Sequence, residues 1–242
     1  MTGEGVRVTF GVRDLAVARG RHEVLQSVSF DVPSGCTVLM GPNGAGKTTA
    51  CRAVLGDLPI RAGRVVQNGT PISSKADWRR FRADLGWLPQ SFGAPSRASV
   101  GGILRYAGWL KHCEVDVDRI LGSVGLEGVG RRRFGQLSGG QMRRIGIACA
   151  LVGEPSGLLL DEPTVGLDPE QRDDFHGLVR TVAATASVLI STHLLEDVAA
   201  MADHVLILDQ GRVQFEGSTQ ELAGRATPTV DDLRSGYLRA VA

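Results

Sequence analysis

Gly41-Pro-Asn-Gly-Ala-Gly-Lys-Thr48 constrains this 242-residue chain more than any other stretch. It follows an apolar run, Thr37-Val-Leu-Met40, and opens a helical stretch that reaches about Leu55. A strand, a glycine-rich turn of the form GxxxxGK[ST] and a helix, in that order, make a phosphate cradle. The glycines let successive backbone N–H groups curl around phosphate oxygens without Cβ clashes, and the helix N-terminus adds a positive field. Lys47 suits the β- and γ-phosphates and the Thr48 hydroxyl suits Mg²⁺. Lys47 is one of three lysines among 27 basic residues, so it is not drawn from a common background.

The rest of the chain has the alternation that such a turn requires. Residues 6–10, 28–32, 37–40 and 63–66 read as strands, with an Asn68-Gly69 turn after the last. Residues 91–133 change to helical pieces (103–110 and 117–124) broken by glycines. A helix over 140–151, a buried strand at 158–160, a helix over 169–183, a strand at 188–191 and a helix near 194–202 follow. A hairpin, 205–208 with 213–215, precedes the tail. Strands separated by helices imply an α/β fold with a mainly parallel sheet covered on both faces. One domain over 1–242 is expected, with an N-terminal antiparallel β portion, a helical subdomain at 91–153 and a short helical tail at 218–242.

A second polar cluster sits where the apolar run Leu158-Leu-Leu160 ends in Asp161-Glu162. Strand ends of a parallel sheet are where ligands bind, and successive side chains point opposite ways, so the two acids divide the work. Asp161 suits Mg²⁺ through water, and Glu162 suits a general base for an attacking water. Ser138, ahead of Gly139-Gly140 and a helix bearing Arg143 and Arg144, is a candidate N-cap whose helix end can face phosphate.

Leu137-Ser-Gly-Gly-Gln141 resembles the signature of the ATP-binding-cassette (ABC) ATPases, and it precedes Asp161 at that family's spacing. The other family elements stand around it in order: Gln90 in Leu88-Pro-Gln-Ser91, Gly166-Leu-Asp168 after the acids, and His193 in Ser191-Thr-His-Leu194. The resemblance runs from about residue 6 to 217. It implies a P-loop ATPase that binds ATP and Mg²⁺. Nucleotide contacts are implied for Gly41, Pro42, Asn43, Gly44, Ala45, Gly46, Lys47, Thr48 and Thr49, and for Ser138, Gly140 and Gln141. Two cassettes, identical or different, would pack head to tail, so that Ser138 and Gly140 of one chain complete the site built on Lys47 of the other. By the same resemblance Thr48, Gln90 and Asp161 hold the metal, Glu162 and His193 act on the γ-phosphate with Gln90, and Asp168 bridges the dimer. The chain departs from the family at the adenine-stacking aromatic. Aligning Leu15-Ala-Val-Ala-Arg19-Gly20 with the family pattern puts Arg19 there, with His22 as the alternative stacker.

Composition narrows the partners. Lys+Arg 27 against Asp+Glu 26 leaves +1, and the clusters Arg79-Arg-Phe-Arg82 and Arg131-Arg-Arg133 lack interleaved aromatics beyond Phe81, so nucleic acid is not expected. The four cysteines form no CxxC pair, which argues against zinc and disulfides and for a reducing cytoplasm. No apolar run approaches the ~20 residues of a membrane span, and residues 1–6 lack a signal-peptide pattern. The expected function is therefore the ATP-hydrolysing subunit of a transporter, cytoplasmic and peripheral on the inner face of the membrane, working with a separate transmembrane permease. The short tail resembles exporter-type cassettes. An importer ATPase is the alternative within that class, and a soluble ABC ATPase not engaged in transport is the alternative outside it.

Overall fold

The computed structural model describes residues 8–241. The expected strand start at Val6 and the N-terminal segment 1–6 lie outside the described residues. In chain order the elements are β1 (Val8–Arg19), β2 (His22–Pro33), β3 (Gly35–Met40), α1 (Lys47–Val54), β4 (Ala62–Gln67), β5 (Thr70–Pro71), α2 (Lys75–Ala83) and β6 (Leu85–Leu88). Then come α3 (Val100–Leu110), α4 (Val117–Ser123), two single 3₁₀ turns at Val129–Arg131 and Phe134–Gln136, and α5 (Gly139–Leu151). The chain continues through β7 (Gly157–Asp161), α6 (Pro169–Ala183), β8 (Ser187–Ser191), α7 (Leu195–Met201), β9 (His204–Asp209), β10 (Arg212–Ser218), α8 (Thr219–Ala223) and α9 (Val230–Ala240).

Two sheets carry the molecule. β2-β1-β4-β5 is antiparallel, and β10-β9-β3-β8-β7-β6 is parallel except for β10, which returns along β9. Period-two alternation along the parallel strands splits their side chains between two cores. Val38, Leu158, Leu160, Val188, Ile190, Val205 and Ile207 face a core shared with α5, α6 and the helical region. Leu39, Leu159, Leu189, Leu206 and Leu208 face a second core with α1 and the antiparallel sheet, including Phe10, Leu15 and Phe30. With both faces covered, the strand ends are the remaining outlets for polar side chains.

The helices begin where short polar side chains can take the unpaired first-turn N–H groups. Ser74, Ser99, Asp116, Ser138, Asp168, Ser218 and Thr229 each accept from a first-turn N–H. The helix α1 is different, because Gly46 stands at its N-cap in the left-handed region (φ 109) and offers no side chain. The expected helical pieces at 103–110 and 117–124 are α3 and α4, and the helix expected over 169–183 has those bounds. The helix α5 packs on both α3 and α4 and on β6: a Cβ on Gly86 would lie 2.2 Å from the Ala150 carbonyl oxygen. All four cysteines are free, with Cys36 and Cys51 buried and Cys113 and Cys149 half-buried.

Candidate functional site

The phosphate turn is built where β3 leaves the parallel sheet. At Gly41 (φ +151) a Cβ would sit 2.0 Å from the Leu208 carbonyl oxygen, so no other residue fits the exit from β3. Gly44 (φ +87) faces open space, so the loop's outer side is free for a ligand. Because Gly46 cannot cap α1, the first-turn N–H groups of that helix are left for an anion. Lys47, the first residue of α1, is buried and curls back over the loop. Its Nζ donates to the carbonyls of Gly41 (2.7 Å) and Pro42 (3.2 Å) and lies 3.8 Å from Glu162 Oε1.

The two acids at the end of β7 diverge, as their spacing predicts. Asp161 is fully buried, and its Oδ1 accepts from the Ser191 hydroxyl on the neighbouring strand β8. Its Oδ2 is buried with no hydrogen-bond partner among the described residues. An orphaned carboxylate oxygen is costly unless a cation or ordered water completes it. A carboxylate oxygen left open in this way is the kind of hard donor that Mg²⁺ takes alongside substrate phosphates and water. No group of three or more His, Cys, Asp or Glu side chains suited to a metal occurs among the described residues.

Glu162 leaves β7 in the left-handed region (φ 49), where a non-glycine residue is strained. Its N–H donates to Ser191 Oγ (3.0 Å) and the Ser191 carbonyl (3.1 Å). The carboxylate is buried, with Oε2 3.0 Å from His193 Nδ1 on one side and Oε1 facing Lys47 on the other. A carboxylate between a lysine and a histidine, at the mouth of a phosphate cradle, is placed to take a proton from water.

A cavity of about 810 Å³ opens over this group. Lys47, Thr48, Thr49, Asn43, Gly44, Gly46, Gln90 and Glu162 line it, together with Arg19, His22, Glu23 and Gln26. Arg19 and His22 are register partners at the end of the β1–β2 hairpin, so both side chains stand on one face. Both expected base-stacking candidates therefore reach the cavity. Ser138, Gly140, Gln141 and Asp168 are not among the residues lining it. Ser138 caps α5, with Oγ accepting from the Gln141 N–H (3.2 Å) while Gln141 Oε1 accepts from the Ser138 N–H (3.1 Å). Gly140 is buried, and a Cβ there would meet Gln171 Oε1 at 2.2 Å. Asp168 is exposed and caps α6 through the Gln171 N–H (2.8 Å).

Sequence reasoning missed several residues that hold this site. Ser191 supports both acids. Asp197, buried on α7, accepts from Thr164 Oγ1 (2.7 Å) and Thr192 Oγ1 (2.8 Å) and pairs with His176 Nε2 (2.9 Å). It thereby ties the segment after Glu162, the segment before His193 and α6 together. Burial pushes its carboxyl upward, but the hydrogen bonds from His176, Thr164 and Thr192 outweigh that and hold it below the usual range. Its place was readable, because Asp197, Val198 and Met201 fall on one face of α7. Arg143 was noted only as a charge on the helix after Ser138. It turns inward, with Nε donating to Pro163 O (3.1 Å), Nη1 to Pro89 O (3.0 Å) and Gln90 O (2.9 Å), and Nη2 to Asp161 O (2.6 Å) and Glu162 O.

The chain is similar to known proteins. Residues 25–165, more than half of the chain, match the ABC transporter family. The chain is 35% identical over 217 residues to an uncharacterized ABC transporter ATP-binding protein, YxlF, of Bacillus subtilis (strain 168), covering 87% of this chain and 71% of that protein. It is 34% identical over 224 residues to the Nod factor export ATP-binding protein I of Sinorhizobium fredii (strain NBRC 101917 / NGR234), covering 89% of this chain and 64% of that one. A solved ATP binding subunit of an ABC transporter superposes with a TM-score of 0.84 at 25% identity, covering 97% of this chain and 100% of that chain.

Proposed function

The chain belongs to the ABC transporter ATP-binding family, whose members hydrolyse ATP to drive transport, and on that premise we propose how its residues divide the work. The turn from Gly41 to Thr49 receives the triphosphate through backbone N–H groups and Lys47. Thr48, Gln90 and the orphaned oxygen of Asp161 hold Mg²⁺, which when bound neutralises charge on the phosphates. Glu162 takes a proton from the attacking water, whose oxygen joins the γ-phosphorus as the bond to the β-phosphate oxygen breaks and ADP departs. His193 orients the Glu162 carboxylate and faces the γ-phosphate. Arg19, beside His22, receives the base. Ser138, Gly140 and Gln141 serve the nucleotide of a second cassette, identical or different, and Asp168 lies at the contact between the two.

Among the described residues no helix is long and apolar enough to cross a membrane. A separate transmembrane permease then carries the cargo, with this chain peripheral on the cytoplasmic face. The exposed Tyr106, Trp109 and Leu110 on α3 supply an apolar face for that contact. Export is the direction we favour, supported by the relative named for Nod factor export.

The observation that carries this reading is the buried Glu162 carboxylate between Lys47 and His193. Glu162→Gln keeps the shape and removes the base, so nucleotide binds while turnover falls by roughly 10²–10⁴. Lys47→Ala weakens nucleotide binding itself. Steady-state hydrolysis and nucleotide titration separate the two, and near-normal turnover in Glu162→Gln would defeat the assignment.

A further inference from the structure

Arg143 carries five N–H donors, and each meets a backbone carbonyl. The acceptors lie on two segments far apart in sequence: the turn after β6 that bears Gln90, and the exit from β7 that bears Asp161 and Glu162. The donor sits on a third, α5, whose capped N-terminus is Ser138, about 7–8 Å along the helix axis from Arg143. One of its acceptors is the carbonyl of Glu162, the residue held at φ 49. Strained backbone persists only where its surroundings over-determine it. Here Ser191 grips the N–H side of Glu162 and Arg143 grips the carbonyl side.

We propose that Arg143 is a positioning residue that locks the Glu162 carboxylate and the Gln90 turn to the helix bearing Ser138. This rests on the assignment of Glu162 as the base. Glu162 cannot relax toward an ordinary backbone conformation without breaking with Arg143, and α5 cannot shift without pulling on both loops. A planar guanidinium is required, because an ammonium is a single point with three donors and cannot span the carbonyls of both segments.

The test uses the full chain with three single changes and one double change. Arg143→Lys keeps the charge and some of the bonds, and Arg143→Gln serves as a second variant. Folding of each is checked by circular dichroism and thermal unfolding. In the folded variants kcat falls by about 10- to 100-fold, as misplacement of a reacting group by about 1 Å does. Affinity for ATP measured without Mg²⁺ stays within about threefold, because no bond of Arg143 reaches the phosphate turn. If Arg143 acts through Glu162, Arg143→Lys in the Glu162→Gln background gives the same single-turnover rate as Glu162→Gln alone, within about twofold. Normal kcat per folded molecule in both Arg143 variants, with Glu162→Gln impaired, overturns the proposal and leaves the base assignment standing. Full multiplication of the two losses in the double variant does the same. Near-normal turnover in Glu162→Gln removes the base assignment and the proposal with it.

Discussion

Arg19 is the proposed contact for the base, and the consequence is a matter of single-residue chemistry. Its side chain shares a hairpin face with His22, and both line the cavity. A guanidinium stacks on any base, since stacking reads a π-face rather than a pattern of donors and acceptors. Weak discrimination follows, with GTP used within about threefold of ATP, as a site without a specific hydrogen bond to the base cannot reject its analogue. Arg19→Tyr adds ring contact and tightens ATP by about 2- to 10-fold. Competition titrations with both nucleotides check this. A strong ATP preference that vanishes in Arg19→Ala would show that Arg19 discriminates, contrary to this account.

At the scale of elements, carboxylates set the acid limit of stability. Hydrogen bonds from Ser74 hold Asp77 at a pKa of about 2, and those from Thr229 do the same for Asp232. Asp197 is also held below its usual range by its network on α7. Unfolded aspartate titrates near 3.9. Each group therefore binds fewer protons folded than unfolded; the contributions of Asp77 and Asp232 are complete above about pH 4 and lost as pH falls toward about 2, and that of Asp197 is lost in the same direction. The unfolding midpoint should fall across that window. Asp197→Asn should cost about 1–3 kcal/mol at neutral pH, because it removes an acceptor for buried donors, and should flatten the decline. A midpoint unchanged from pH 6 to 2, or an Asp197→Asn variant as stable as the parent, would contradict this.

These elements also show where sequence reading stops. The phosphate turn was legible because its glycines, Lys47 and Thr48 are demanded by one backbone geometry. The exit at Glu162 was legible because three leucines ending in acids can only be a buried strand reaching an edge. The helix α2 was not, since Phe81 is its one buried side chain and no apolar period forms. Residues 79–82, read as a cation cluster, are a turn of that helix, with Arg82 donating to the carbonyls of Leu55 and Gly56. The strands β1 and β2 run longer than the alternation predicts. Left-handed residues at Asp14 and Ser27 shift the register, so Val12 and Leu15 are both buried despite their odd spacing. Arg143 escaped notice because a buried charge is recognised by partners that only the fold assembles, whereas Asp197 was overlooked although it shares a face of α7 with Val198 and Met201.

For the whole molecule, the residues divide into two surfaces. Lys47, Gln90 and Glu162 line the cavity, while Ser138 and Asp168 are exposed elsewhere at helix N-termini. A helix N-terminus with no ligand of its own chain is suited to the γ-phosphate of another. ATP would then bridge two chains and stabilise their association by linkage. Ser138→Arg places bulk and charge at that contact, so it should prevent association and abolish hydrolysis while leaving single-chain ATP affinity nearly intact. The most direct measurement is light scattering of Glu162→Gln with and without Mg-ATP, since that variant retains the bridging phosphate. The account predicts a monomer without nucleotide and a doubled mass with it, lost again in the Ser138→Arg background. A variant that binds Mg-ATP at saturation and keeps the mass of one chain would contradict it.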